Sequence, residues 1–254
     1  MRRPVFIANW KMNHGPTEAR AYMAAFTATW TPRKDRSVIF CPPAISVSTV
    51  IQALGSRADI GVGVQNVWTE DSGAFTGETS ARMAADAGAR YALVGHSERR
   101  HVFGETDQET ALKCAAVVRN GLTPILCVGE LLDQRDAGDT QKVVLCQLEA
   151  GLADLSAESI ANAIVAYEPV WAIGTGKTAT PADASHVHGL LREALSRRIG
   201  DLAAAVPILY GGSVNAGNAE ALLAARGVDG LLVGGSSLDA TMWVTICGVR
   251  VRTS

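Results

Sequence analysis

The chain has 254 residues, of which 48% are hydrophobic and 19% charged, and its formal net charge is −2. This is enough apolar material for a large core, and the charge gives no reason to expect nucleic acid or an anionic membrane as a partner. No apolar run approaches the ~18 residues of a bilayer-spanning helix, and the run after Arg2 and Arg3 is too short for a signal-peptide core. Five cysteines without a C-x-x-C pair favour free thiols in a reducing cytosol. We therefore expect a cytoplasmic protein.

Short apolar runs, many of them β-branched, recur along the whole chain and predict eight strands. They are VFIAN (5–9), SVIFC (37–41), IGVGV (60–64), YALVG (91–95), LTPILCV (122–128), AIVAY (163–167), VPILY (206–210) and DGLLVG (229–234). Near-continuous apolar runs of this kind are typical of strands that are buried on both faces of a parallel sheet.

Helical patterns lie between these runs. The four-residue spacing of Tyr22, Phe26 and Trp30 predicts an apolar helical stripe. A later helix is predicted to start at Thr180–Pro181, an N-cap and N1 pair, and to end at Gly200.

Eight strands separated by helices predict one architecture above others, a (β/α)₈ barrel formed by a single domain over residues 1–254. A doubly wound open sheet is the alternative. Eight repeated units without a break in composition favour the closed barrel. Chemistry in such barrels lies at the carboxyl ends of the strands, so the residues just after each run are the candidates.

The segment YEPVWAIGTGKT (167–178) follows the sixth strand and contains a carboxylate, Glu168. Pro169 keeps Glu168 out of the helical region, and Gly174 allows the backbone to approach a ligand closely. Residues 170–173 are too apolar for a surface loop that covers nothing. This pattern predicts a base whose lid, residues 169–179, closes over it.

A histidine and a lysine follow two other strands. His96 precedes SERR, which is typical of a first helical turn, so its ring is expected to be neutral and able to donate an N–H to a carbonyl oxygen. The alternative is a core histidine with satisfied hydrogen bonds. Lys11 lies in the apolar stretch NWKMN, where a buried lysine is rare unless paired. Its alternative role is a salt bridge to Glu98, and both roles are compatible.

Two glycine-rich turns follow the last two strands, Gly211-Gly212-Ser213 and Gly234-Gly235-Ser236. Backbone N–H groups and a short helix N-terminus at this place in a barrel often bind phosphate. The alternative is that the glycines only form tight turns.

The loop after the third strand, residues 65–78, is long and contains Trp68 and Phe75. Such side chains are costly on an exposed loop, so we expect a second subunit to cover them. The alternative is that the loop folds back onto its own barrel. No cluster of residues with metal-ligand spacing is found.

These features together resemble the triosephosphate isomerase family from end to end. The matching motifs are NWKMN (9–13), QN (65–66), GAFTGE (73–78), VGHSERR (94–100), CVGE (127–130), YEPVWAIGTGKTA (167–179), YGGSV (210–214) and VGGSSL (233–238).

The resemblance implies a role for each matching position. Glu168 matches the family's base, His96 its electrophile, Lys11 its electrostatic stabiliser and Asn9 a residue that hydrogen-bonds the substrate. The backbone grip on phosphate matches Gly174, Ser213, Gly234 and Gly235.

The resemblance also implies a homodimer through the 66–78 loop, with Phe75 and Thr76 at the contact, and no metal or organic cofactor. Three features depart from the family pattern. Ser236 stands where the family usually has Ala, Trp243 stands where Phe is common, and the tail over residues 248–254 is unlike the family's.

The implied reaction interconverts dihydroxyacetone phosphate and glyceraldehyde 3-phosphate through an enediol(ate). Three alternatives remain. A scaffold role through the 66–78 loop is compatible with catalysis, but alone it would leave the polar residues at the strand ends unexplained. A paralogue acting on a four-carbon ketose phosphate would keep every motif quoted above. A non-catalytic sugar-phosphate-binding barrel would not need Glu168, His96 and Lys11 together.

Overall fold

The structure, a computed structural model, describes residues 3–173 and 179–250. Eight parallel strands close into one barrel, in which each strand pairs with its neighbours in sequence and β1 pairs with β8. The strands are β1 Val5–Asn9, β2 Ser37–Cys41, β3 Ile60–Val64, β4 Tyr91–Val94, β5 Thr123–Val128, β6 Ile164–Tyr167, β7 Ile208–Tyr210 and β8 Gly230–Val233. The closed order confirms the predicted (β/α)₈ barrel and excludes an open sheet.

Helices surround the barrel. In the described ranges the α-helices are α1 Pro16–Thr29, α2 Val47–Leu54, α3 Ala81–Asp86, α4 Ser97–His101, α5 Asp107–Arg119, α6 Leu132–Asp136, α7 Thr140–Gly151, α8 Ala157–Ala161, α9 Pro181–Ile199, α10 Ala219–Leu223 and α11 Ala240–Gly248. Short 3₁₀ helices span Ala44–Ser46, Val170–Ala172, Gly200–Ala205 and Gly235–Ser237. None of the helices in these ranges has both the length and the apolar character that crossing a bilayer requires.

The predicted start and end of α9 are confirmed. Thr180 accepts a hydrogen bond from the Asp183 N–H and so caps the helix, and Pro181 occupies the first turn. Gly200 follows the last turn with a φ of 59°, a conformation that favours glycine.

Side chains alternate between two cores along each strand. On β1, Phe6 and Ala8 belong to the large core between sheet and helices, whereas Val5 and Ile7 belong to a smaller cluster inside the barrel. Because a strand has a period of two, Asn9 continues the inward series of Val5 and Ile7. It therefore reaches the mouth of the barrel at the carboxyl end of β1.

Some strand ends differ from the prediction by one or two residues. β4 stops at Val94 because Gly95 turns the chain with a φ of 71°. β7 starts at Ile208, since Val206 caps a 3₁₀ helix and Pro207 has no N–H to donate.

Candidate active site

A cavity of ≈ 280 Å³ lies at the carboxyl ends of the strands. Its lining residues are Asn9, Lys11, His96, Glu168, Ile173, Gly211, Gly212, Ser213, Val214, Leu232, Gly234, Gly235 and Ser236. The structure thus brings together residues that are up to 227 positions apart, from Asn9 to Ser236. Gly174, which was predicted to grip a phosphate, lies outside the described residues.

Glu168 follows β6 directly and is 2% exposed. Its carboxylate accepts a hydrogen bond from the Ser97 N–H at 2.9 Å through Oε2, and Oε1 lies 3.0 Å from Nε2 of His96. The side chain also needs the space that Gly211 leaves, because a Cβ there would lie 2.9 Å from the Glu168 Cγ. The acid is therefore buried, hydrogen-bonded and held against the start of α4.

His96 caps α4, and its hydrogen bonds define the tautomer. Nδ1 accepts from the Glu98 N–H at 3.2 Å, so it carries no proton. The proton of the neutral ring is then on Nε2, which donates to Oε1 of Glu168. An imidazolium would place a second N–H against the Glu98 N–H. The arrangement is that of a neutral ring with one N–H directed at the carboxylate.

The two side chains shift each other's pKa. Burial raises the pKa of Glu168. The His96 ring and the Ser97 N–H together lower it by more, so the pKa of Glu168 lies below its usual value. Burial lowers the pKa of His96, whereas the charge of Glu168 and the hydrogen bond to it raise it, with a net rise. That rise depends on the carboxylate. If Glu168 moved away from the ring, the effect of burial would dominate and favour the neutral form.

Lys11 follows β1 and has a φ of 52°, which is uncommon for a residue other than glycine. Its Nζ lies 2.6 Å from Oε1 of Glu98, which confirms the predicted salt bridge. The expectation that Lys11 is buried was wrong, since its side chain is 30% exposed. The ammonium extends along the rim of the cavity to Glu98, which is itself partly exposed.

Asn9 is 5% exposed, and one hydrogen bond orients its amide. Oδ1 accepts from the Lys11 N–H at 3.0 Å. The NH₂ is therefore the group of Asn9 that can donate to a ligand in the cavity.

The two glycine-rich turns line the same cavity. Gly234 precedes the 3₁₀ helix Gly235–Ser237, whose first N–H groups have no partner within the helix. A Cβ at Gly234 would lie 3.2 Å from Cε of Lys11, so this glycine lets the lysine pass close to the turn. The Ser236 hydroxyl donates to the Val214 carbonyl at 2.7 Å and joins the turns after β7 and β8. Such N–H groups beside a lysine suit an anion.

Glu130 ends the motif CVGE (127–130), and no role was predicted for it from the sequence. In the structure it contacts residues on both sides of Glu168. The side chain is fully buried, and Oε1 accepts from the Tyr167 hydroxyl at 3.0 Å and from Nε1 of Trp171 at 2.9 Å. It anchors the 3₁₀ helix Val170–Ala172 that begins the predicted lid. The available signal was its position just after a strand, as for Glu168.

No group of three or more His, Cys, Asp and Glu side chains in residues 3–173 and 179–250 could hold a metal ion.

Comparisons with known proteins agree with this geometry. The family model described as triosephosphate isomerase matches residues 4–250. A triosephosphate isomerase of Moorella thermoacetica is 47% identical over 247 residues, covering 97% of this chain and 98% of that protein. One of Symbiobacterium thermophilum is 45% identical over 254 residues, covering 99% and 98%. The crystal structure of triosephosphate isomerase from Bartonella henselae superimposes with a TM-score of 0.87 at 39% identity, over 96% of this chain and 98% of that one. The chain belongs to the triosephosphate isomerase family.

Proposed function

We propose that this protein interconverts dihydroxyacetone phosphate and D-glyceraldehyde 3-phosphate, the aldose–ketose isomerisation of EC 5.3.1.1 and a step of glycolysis and gluconeogenesis. One observation carries the proposal. A buried carboxylate and a neutral imidazole flank a single cavity that a lysine and two glycine-rich turns complete.

Glu168 acts as the base. It takes a proton from the hydroxyl-bearing carbon next to the carbonyl and returns it to the former carbonyl carbon, while a proton passes from the hydroxyl oxygen to the former carbonyl oxygen. The net change is therefore the transfer of one hydrogen between the two carbons and one between the two oxygens. An ordinary glutamate has a pKa of ~4.3 and is a feeble base at neutral pH. Leaving the Ser97 and His96 N–H groups for an apolar, water-free position removes the donors that hold its pKa down.

The negative charge that develops on the substrate oxygens needs hydrogen-bond donors that face the cavity. Nε2–H of His96, the Lys11 ammonium and the Asn9 NH₂ supply them, all on the cavity lining. Fixed donors in a water-excluded site stabilise such charge more strongly than water does.

The phosphate is held by backbone N–H groups of Gly174, Ser213, Gly234 and Gly235. Residues 169–179 act as a lid whose closure the bound phosphate drives. The anchored helix Val170–Ala172 and the apolar contact of Ile173 with the cavity support this assignment.

A coupled assay with glyceraldehyde 3-phosphate, run in deuterated water, tests the proposal. We expect turnover and entry of solvent deuterium into the substrate. Binding without deuterium entry would instead indicate a sugar-phosphate-binding barrel. A kcat/KM on a tetrulose phosphate above that on the triose phosphates would favour the paralogue.

We also propose a homodimer that forms through residues 66–78, in the cytoplasm. The tip of this loop, residues 72–78, is exposed. Among the aromatic contacts of the described residues, the Phe75 ring has one, with Trp68 of the same loop, and their ring centroids lie 5.4 Å apart. All five cysteines are free, which suits a reducing compartment.

A further inference from the structure

The backbone of Lys11 adopts a conformation that the surrounding structure has to enforce. Its φ of 52° falls in the left-handed region, which a side chain with a Cβ disfavours. Residues held in this way persist only where neighbouring contacts determine them, and such positions cluster at functional sites. The contacts that hold Lys11 therefore influence where its ammonium lies.

Three hydrogen bonds hold this residue, one at each of its polar groups. The N–H donates to Oδ1 of Asn9 at 3.0 Å, and Nζ lies 2.6 Å from Glu98. The carbonyl oxygen accepts from Nε2 of Gln65 at 2.8 Å. Asn9 belongs to the same strand end and Glu98 binds the tip of the side chain. Gln65 is thus the residue outside the turn at Lys11 that hydrogen-bonds the Lys11 backbone.

The orientation of the Gln65 amide is unambiguous. The same Nε2 donates to the carbonyl of Cys41 at 2.8 Å, so two acceptors face one group. Only the NH₂ end of the amide can satisfy two carbonyl oxygens. Gln65 follows β3 and Cys41 ends β2, so this side chain joins the ends of three adjacent strands. It is not among the residues that line the cavity.

We propose that Gln65 is a positioning residue that fixes the left-handed turn at Lys11 and thereby the reach of its ammonium into the cavity. The proposal rests on the function of Lys11 proposed above. Gln65 makes no contact with the cavity itself, so its effect has to pass through Lys11.

Gln65→Met tests this, because methionine keeps the length and loses both donors. We expect kcat/KM to fall about tenfold, the scale of one lost hydrogen bond to a site group. The decisive measurement is a double-mutant cycle with Lys11→Met, using kcat/KM and, where turnover is too slow, the affinity for glycerol 3-phosphate. In the Lys11→Met background, Gln65→Met is expected to have little further effect.

Gln52→Met makes the same exchange on the exposed face of α2 and controls for the new side chain. Near-ultraviolet circular dichroism checks the fold of each variant. Gln65→Asn keeps a donor but is too short to reach both carbonyls, so we expect it to lose less kcat/KM than Gln65→Met. Equal losses with and without Lys11, or wild-type kinetics for both Gln65 variants, would overturn the proposal. If Lys11→Met alone turns over like the wild type, the role of Lys11 fails instead.

Discussion

At the residue scale, Glu168 is held by two hydrogen-bond donors that lower its basicity, although it is proposed to act as a base. The Ser97 N–H and Nε2 of His96 both stabilise the charged carboxylate. A carboxylate with these partners is a weak base, so the proposed reaction requires the side chain to move toward the substrate before it takes a proton. The same movement removes the contribution that raises the pKa of His96 and leaves a buried, neutral donor. One displacement thus prepares both groups.

Glu168→Asp tests the distance over which the carboxylate acts. The shorter side chain withdraws the oxygens by about one methylene, and a misplacement near 1 Å costs on the order of 100-fold in rate. We expect kcat to fall by about that factor, with KM little changed because the phosphate contacts remain. Steady-state kinetics in both directions measure it, with Glu149→Asp on the surface of α7 as the control. Turnover like that of the wild type would rule out Glu168 as the base.

Ser236 is the departure from the family pattern that touches the cavity. Its hydroxyl joins the turns after β7 and β8 through the Val214 carbonyl. Removing one neutral hydrogen bond costs about 1 kcal/mol, so Ser236→Ala is expected to raise KM about fivefold with kcat nearly unchanged. Thr245→Val removes a comparable hydroxyl-to-carbonyl bond on α11 and is the control. An unchanged KM in Ser236→Ala would show that the turns keep their geometry without this bond.

At the scale of elements, local signals predict the strands and the capped helix α9. β1, β2 and β3 match the prediction residue for residue, because Asn9, Cys41 and Val64 each end an apolar run. Helices such as α4, α8 and α10 have only five residues each and cannot show a periodic stripe. They lie in the connections that return the chain from the end of one parallel strand to the start of the next.

Part of the candidate site could likewise be predicted from the sequence, and part could not. Glu168, His96 and Lys11 could be predicted because each lies just after a strand, and parallel strands bring their carboxyl ends to one mouth. The role of Asn9, which ends β1, was predicted from the resemblance to the family. The contact of the Ser97 N–H with Glu168 could not, since a backbone donor carries no sequence signal. Contacts across several strand ends, such as that of Gln65 with Lys11, depend on the closed geometry.

His188 links α9 to the turn at Gly227 and makes this element sensitive to acid. The ring is fully buried, and Nδ1 donates to the Gly227 carbonyl at 2.9 Å. Burial lowers the pKa of His188 from 6.5 to about 4. A depressed pKa means that the unfolded chain binds the proton first. The stabilisation is therefore complete above pH ~6.5 and is lost as the pH falls toward 4, by at most about 3 kcal/mol.

His188→Asn isolates this effect, because its amide can donate to the same carbonyl but does not titrate. We expect the free energy of unfolding of the variant to fall less than that of the wild type between pH 7 and pH 4.5, as measured by urea unfolding. His186→Asn, on the same helix, is the control. Equal losses of stability in His188→Asn and the wild type would assign the acid sensitivity to other groups.

At the scale of the whole molecule, large apolar side chains gather on the surface near the cavity. Met12 is 95% exposed and directly follows Lys11, and Ile45 is 74% exposed. Both line a surface cleft of ≈ 440 Å³ that also contains His14 and Leu238. Exposed apolar groups around a cleft are typical of a protein interface. If the proposed dimer forms, we expect the tip of the 66–78 loop of one protomer to occupy this cleft of its partner.

Thr76→Glu tests that arrangement, because a carboxylate at the exposed loop tip is costly to bury against apolar side chains. We expect the wild type to sediment as a dimer and the variant largely as a monomer at micromolar concentration. We further expect kcat to fall about tenfold, since Met12 would lose its support and Lys11 its precise position. Thr31→Glu introduces the same charge in the exposed loop before β2, at the opposite end of the barrel, and is expected to change neither property. A fully dimeric Thr76→Glu variant would place the interface elsewhere, whereas a monomeric variant with undiminished kcat would separate the interface from the site.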